Sequence, residues 1–297
     1  MDCYFLGGLG LKKYFKSIGA ALAYLALYLF MSLLVAIGVG LYLGFTTAFE
    51  TSGARTDLLA ARIDTFLQSN APLIVILTNV LSLLSFLLVT KIRKKPLRER
   101  LDLVPVPLRN LWPLLVAGLT LNLLITFLIG FLPIPESTLE GYAQATGSLN
   151  EYTLQGFLAA VIVAPLFEEI MLRGYIMKTL QKGLPHLLAV FLQALIFGLL
   201  HGQILWVAYS FFMGILFGLL KLRYQSLYAC ILLHFSFNVS NYLISPLLQW
   251  AGDSLFFLLG IFIVSLGITI LMVKLIMERT RPSKEPTKDL HEIPMES

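Results

Sequence analysis

The chain has 297 residues, of which 58% are hydrophobic and 13% charged, against about a quarter charged in soluble domains. That balance, with a mean hydropathy of +0.82, excludes a water-soluble globule. The net charge of +5 would suit nucleic acid, but the Lys and Arg residues crowd beside apolar blocks, where membrane topology already accounts for them. No nucleic-acid partner is expected. The two cysteines, Cys3 and Cys230, are too few for a disulfide framework or a four-thiolate metal site.

Apolar blocks run at 17–45, 71–90, 111–132, 152–172, 187–203, 205–220, 226–248 and 253–276, each near the ~20 residues that cross the hydrocarbon as a helix. They are continuous in Leu, Ile, Val and Phe rather than alternating, so helices are expected and barrel strands are not. The fold class is therefore all-α: a polytopic transmembrane bundle of about eight helices. Residues 1–110 read as N-terminal transmembrane helices with a basic loop. Residues 111–278 read as the transmembrane core, and 279–297, rich in Pro, Lys and Glu, as a disordered tail.

Orientation follows gap by gap. Lys12, Lys13 and Lys16 precede the first block, and Lys91, Arg93, Lys94, Lys95, Arg98, Arg100 and Arg109 fill the second gap. Lys178 and Lys182, Lys221 and Arg223, then Lys274, Arg279 and Arg281 follow the fourth, sixth and eighth blocks. The alternate gaps are poor in bases; 133–150 holds Glu136 and Glu140 with neither Lys nor Arg. The positive-inside rule then places both termini in the cytoplasm of an integral, multi-pass protein of a bacterial cell membrane.

Between 153 and 245 the apolar pattern is broken by Glu168, Glu169, Arg173, His201, His234 and Asn238. A central charge disfavours insertion by roughly 2.5–3.5 kcal/mol on translocon scales, so a set on successive helices points to a shared polar cavity. Glu169 and Arg173 are spaced i, i+4 and can pair within a turn, while Glu168 is turned about 100° away. His234 and Asn238 repeat the i, i+4 spacing, presenting an imidazole and a carboxamide side by side. Phe197 and His201 do the same, setting an aromatic ring against an imidazole. Asn122 has no polar companion nearby in sequence and is left out of the set, and His186 and His291 read as solvated.

A carboxylate beside a neutral imidazole can orient and deprotonate a water, which suits Glu168 with His201. Paired donors can hold an oxyanion, which suits His234 with Asn238. The set describes a peptidase that activates water without a covalent intermediate. The same atoms allow a metal version, with Glu168, His201 and His234 holding Zn²⁺; the chain has no His-Glu-x-x-His. A serine nucleophile ranks below both, since there is no Gly-x-Ser-x-Gly and neither Ser236 nor Ser240 has an evident base partner.

The segments Glu168-Glu169-Ile170-Met171-Leu172-Arg173, Phe197-Gly198-Leu199-Leu200-His201 and His234-Phe235-Ser236-Phe237-Asn238 resemble the EExxxR, FxxxH and HxxxN motifs of type II CAAX prenyl endopeptidases, the CPBP or Abi family of intramembrane proteases. The resemblance implies that Glu168 and His201 activate water, that His234 and Asn238 form the oxyanion hole, and that Glu169, Arg173 and Phe197 support them. It implies hydrolysis of a peptide or lipidated protein near its C-terminus or a membrane-adjacent segment, and a role in peptide processing or bacteriocin self-immunity. The family carries both metalloprotease and glutamate-protease labels; the metal-free form is expected here, with no cofactor. The cavity is expected to open toward the cytoplasm. The competing reading is a non-proteolytic membrane scaffold that regulates a partner such as a sensor kinase; a transporter is weaker, since no inverted repeat is visible.

Overall fold

The computed structural model describes residues 8–51, 56–94, 96–147, 149, 152–252 and 254–280. Cys3, most of the expected tail and His291 lie outside them. The described residues form helices α1 (Gly8–Thr51), α2 (Thr56–Ile92), α3 (Leu97–Leu101), α4 (Leu108–Phe131) and α5 (Glu136–Gly147). A continuous helix, α6 (Leu154–Leu180), follows, then α7 (His186–Leu199), α8 (Ile204–Tyr224), α9 (Leu227–Ala251) and α10 (Leu255–Arg279). The bundle is all-α, as the apolar blocks require. Among the described residues seven helices are long and apolar enough to cross a membrane, which makes this an integral membrane protein. The eighth block is the exception: the region read as a span at 187–203 is α7, only 14 residues, or roughly 21 Å at 1.5 Å per residue.

The ends of the helices sort into two layers. Arg223 of α8 donates to Thr280 beyond α10, Arg279 donates to the Arg109 carbonyl in the first turn of α4, and Tyr224 donates to the Asn110 carbonyl there. Asp102, ending α3 in the left-handed conformation at φ 49°, pairs with Lys178 of α6 and, at 2.7 Å, with Lys221 of α8. Its carbonyl accepts the Leu227 N–H that opens α9. The start of α1 abuts the turn after α6, where Gly183 meets the Lys13 carbonyl. Both described chain ends and most of the basic residues therefore share one end of the bundle.

Helix α6 is central. Every residue from Ile170 to Met177 is buried, packed with Phe86, Leu114, Phe167, Phe217 and Leu227 in one core. Two π-helical stretches interrupt it, Leu158–Val163 and Ile170–Met177. Pro165 has no N–H to donate and its ring crowds the carbonyl four residues back; the wider turn just before it relieves that conflict, and such turns recur at functional sites. Without a hydrophobic drive between helices in lipid, close approach depends on small residues. At Gly214 of α8 a Cβ would stand 2.8 Å from Ala194 of α7, and at Gly118 of α4 it would stand 2.7 Å from the Leu233 carbonyl of α9. Helices α1 and α10 are peripheral, turning Leu29, Phe30, Leu33, Ile263, Val264 and Ile270 outward onto the face that lipid would cover.

Candidate active site

The three interrupted stretches meet. Glu168 from α6, Phe197 and His201 from the end of α7 and the turn after it, and His234 and Asn238 from α9 line one cavity of about 380 Å³. Glu169 and Arg173 lie behind its wall, both fully buried.

Side-chain directions on α6 separate the two adjacent glutamates. Glu169 turns inward, where one oxygen, Oε1, accepts from Arg173 Nη1 at 3.0 Å and from His234 Nδ1 at 2.9 Å. Arg173 Nη2 donates to the Gly214 carbonyl at 3.3 Å, and its guanidinium lies 4.9 Å from the Phe197 ring centroid and 5.1 Å from that of Phe217. An isolated buried charge would be prohibitive. Here the carboxylate, the guanidinium and two ring faces compensate one another. Glu168, by contrast, is 24% exposed and faces the cavity, its Oε2 lying 3.7 Å from His234 Nε2.

The hydrogen-bond partners fix how the rings present themselves. A carbonyl only accepts, so His201 Nδ1, 2.7 Å from the Phe197 carbonyl, carries the hydrogen, and Nε2 of the neutral ring is left as an acceptor. His234 Nδ1 likewise donates to the Glu169 carboxylate, which leaves Nε2 toward Glu168. Phe217 stacks on His234 at 4.7 Å between centroids, and Phe197 meets His201 edge-on at 4.8 Å. Both rings are therefore held by an aromatic neighbour and one hydrogen bond. Asn238 Nδ2 donates to the Ala160 carbonyl at 2.7 Å, within the first π-helical stretch, so one of its two N–H groups is engaged and the other is not.

Two expectations need correction. Asn122 does have polar companions: its amide donates to Asn241 Oδ1 at 2.9 Å and to the Phe237 carbonyl at 3.0 Å, and both asparagines line the cavity. The i, i+3 spacing of Asn238 and Asn241 on α9 was the available signal. Second, the cavity does not run toward the basic end. Its lining reaches Ile129, Thr146, Leu149 and Trp206, at the far ends of α4 and α5 and the start of α8, and among the described residues includes no Lys or Arg. Basic loops in the cytoplasm and a cytoplasmic opening are therefore incompatible. As for the zinc alternative, no group of three His, Cys, Asp or Glu side chains among the described residues is placed to hold a metal ion, so the Glu168, His201 and His234 set does not fit one in this arrangement. Trp206 and Tyr209 were not anticipated either; Trp206 lies 4.8 Å from His201 ring to ring, and Tyr209 meets Tyr142 of α5 at 3.3 Å between hydroxyls. Ser236 and Ser240 are buried and bonded to the Leu115 and Phe237 carbonyls, which removes them as nucleophiles.

No curated protein and no solved structure matches the chain. A family model does: residues 150–240 match the type II CAAX prenyl endopeptidase Rce1-like model, a segment that contains all of α6, α7, α8 and the His234 and Asn238 face of α9. The resemblance carried by the three motifs is thus borne out over this segment, which is similar to the Rce1-like family of type II CAAX prenyl endopeptidases.

Proposed function

We propose that the protein is an intramembrane endopeptidase that hydrolyses a peptide bond with a water activated by Glu168, without a covalent intermediate or a metal. The observation that carries this is the division of labour between neighbours: among the described residues Glu168 is the only acidic side chain lining the cavity, while Glu169 is sealed behind it as the anchor of His234 and Arg173. Glu168 takes a proton from water as the oxygen attacks the scissile carbonyl carbon. His201, with Nδ1 tied to the Phe197 carbonyl, accepts a hydrogen bond at Nε2 from the water's second O–H, which stays on the attacking oxygen, and so orients the attack. The free N–H of Asn238 and the His234 imidazole face the developing oxyanion, and Glu168 returns its proton to the leaving nitrogen as the C–N bond breaks. General-base transfer contributes typically 10²–10⁴-fold, and each oxyanion donor about 10²–10³-fold.

Among the described residues no Lys or Arg lines the cavity, so a free C-terminal carboxylate would lack such a counter-ion there. The reading that fits is cleavage within a membrane-adjacent segment. With the basic end in the cytoplasm, that segment enters from the opposite side of the membrane. Peptide profiling of membranes carrying the wild type or Glu168→Gln, at equal folded levels, tests the activity: a fragment confined to the wild type supports the proposal, and identical profiles overturn it. Labelling with an impermeant thiol reagent tests the side. A cysteine replacing the exposed Trp250, at the far end of α9, reacts in intact cells if the assignment is right and only after permeabilisation if it is wrong.

A further inference from the structure

A second cavity lies at the opposite end of the bundle, and it has the reverse chemistry. It encloses about 330 Å³ between the first turns of α1, the last turns of α2, α3 and the end of α6, within the roughly 300–1,000 Å³ of small-molecule sites. Its rim carries Lys13, Lys16 and Arg93, all exposed. Its inner wall is the buried guanidinium of Arg100, 8% exposed, with the hydroxyl-bearing Tyr24, Thr90 and Thr179. Among the described residues no Asp or Glu lines it.

Arg100 is the informative residue. A buried charge ordinarily has an ionic partner, yet among the described residues Arg100 donates only to neutral oxygens, the Thr179 hydroxyl at 2.9 Å and the Tyr175 carbonyl at 3.3 Å. Its guanidinium stacks over the rings of Tyr175 at 4.7 Å and Tyr24 at 5.4 Å. Arg93 Nη1 is braced by the Tyr24 hydroxyl at 3.2 Å. Asp102, a carboxylate at this end of the bundle, is engaged with Lys178 and Lys221 instead. The result is a preformed cationic cleft between transmembrane helices, with planar guanidinium donors held by aromatic faces, and with the missing negative charge left to a ligand. Guanidinium groups bind phosphate oxygens in bidentate geometry, and basic pockets between transmembrane helices at a basic membrane face suit anionic head groups.

We propose that this cleft is a binding site for a phosphate-bearing anion, seated on Arg100 and Arg93 and closed by Lys13 and Lys16. Two sources share that chemistry, the phosphodiester head group of an anionic lipid and a soluble phosphate. The test uses the purified full-length protein in phosphatidylcholine nanodiscs, with phosphatidylglycerol added in one arm and inorganic phosphate in the other. Retained phosphatidylglycerol is read by native mass spectrometry, and protection by either additive is read from thermal unfolding. Arg100→Gln removes the inner charge, Lys16→Gln removes an exposed rim charge without disturbing the core, and Lys274→Gln, exposed on α10, changes net charge equally at a distance. The expected result is selective retention or protection by one additive, reduced about five-fold by Arg100→Gln and by Lys16→Gln and unchanged by Lys274→Gln. Protection by phosphatidylglycerol alone identifies the lipid head group, and equal protection by inorganic phosphate identifies the soluble anion. No effect of either additive, or an equal loss with Lys274→Gln, overturns the proposal.

Discussion

Adjacent glutamates at 168 and 169 should have opposite phenotypes when neutralised. Glu169 Oε1 receives both Arg173 Nη1 at 3.0 Å and His234 Nδ1 at 2.9 Å, with carboxylate and guanidinium fully buried. At 3.0 Å and an effective dielectric near 20, the Coulomb attraction of the pair is about 5.5 kcal/mol before desolvation. Removing one partner of a buried pair typically destabilises by about 3–5 kcal/mol, because the other charge is left uncompensated. In Glu169→Gln the stranded group is Arg173, enclosed by Phe197 and Phe217, and His234 loses its ionic anchor. Glu168 is 24% exposed and has only a 3.7 Å approach to His234, so Glu168→Gln should cost under about 1 kcal/mol. Thermal unfolding of the purified variants in detergent is therefore expected to show a drop of roughly 10 °C for Glu169→Gln and little change for Glu168→Gln. Activity is expected to fall by about 10²–10⁴ in Glu168→Gln despite its intact fold. Equal destabilisation by the two substitutions, or an unaltered melting temperature for Glu169→Gln, would refute the division of roles.

Asn238→Ala should lower turnover by about 10²–10³ with a smaller effect on substrate binding, as loss of an oxyanion donor does; a change confined to KM would assign Asn238 to uniform binding instead. At the basic end, partial burial acts to raise the Asp102 carboxyl, but Lys178 and Lys221 outweigh it and hold the group below its usual range. A depressed folded-state value contributes stability above the ordinary pKa of about 3.9 that disappears as pH falls through the lowered value. The wild type should therefore lose stability in that acid window, and Asp102→Asn should flatten this part of the profile while weakening the neutral-pH fold by about 1–3 kcal/mol. Melting temperatures measured from pH 7 down to about pH 3 check both; a variant profile parallel to the wild type contradicts the assignment.

The motif residues were legible in the sequence because charge inside hydrocarbon is costly wherever it occurs, and i, i+4 spacing alone places Glu169 against Arg173. What the pattern could not show were partners supplied by the backbone. The Ala160 carbonyl that takes Asn238, the Phe197 carbonyl that sets the His201 hydrogen, and the Gly214 carbonyl bonded by Arg173 and Gln193 leave no trace in side-chain chemistry. Nor does i, i+4 reasoning see that His234 shares the Glu169 oxygen with Arg173, a contact across 65 positions. The first two helices extend well past the apolar blocks at 17–45 and 71–90, to 44 and 37 residues, because helix continues through polar ends that hydropathy discards. The direction of the cavity was misread for a related reason. Basic residues report which end of the bundle meets the cytoplasm, whereas the cavity is set by where α4, α5 and α8 diverge, and that is a matter of packing.

The central claim is that Glu168 activates the attacking water without a metal. It is tested most directly with purified wild type and Glu168→Gln in proteoliposomes, given the peptide that membrane profiling identifies, with and without a strong chelator. The account predicts cleavage by the wild type that survives chelation and falls at least about a hundred-fold in Glu168→Gln; cleavage abolished by the chelator and restored by added zinc, or retained by Glu168→Gln, would contradict it.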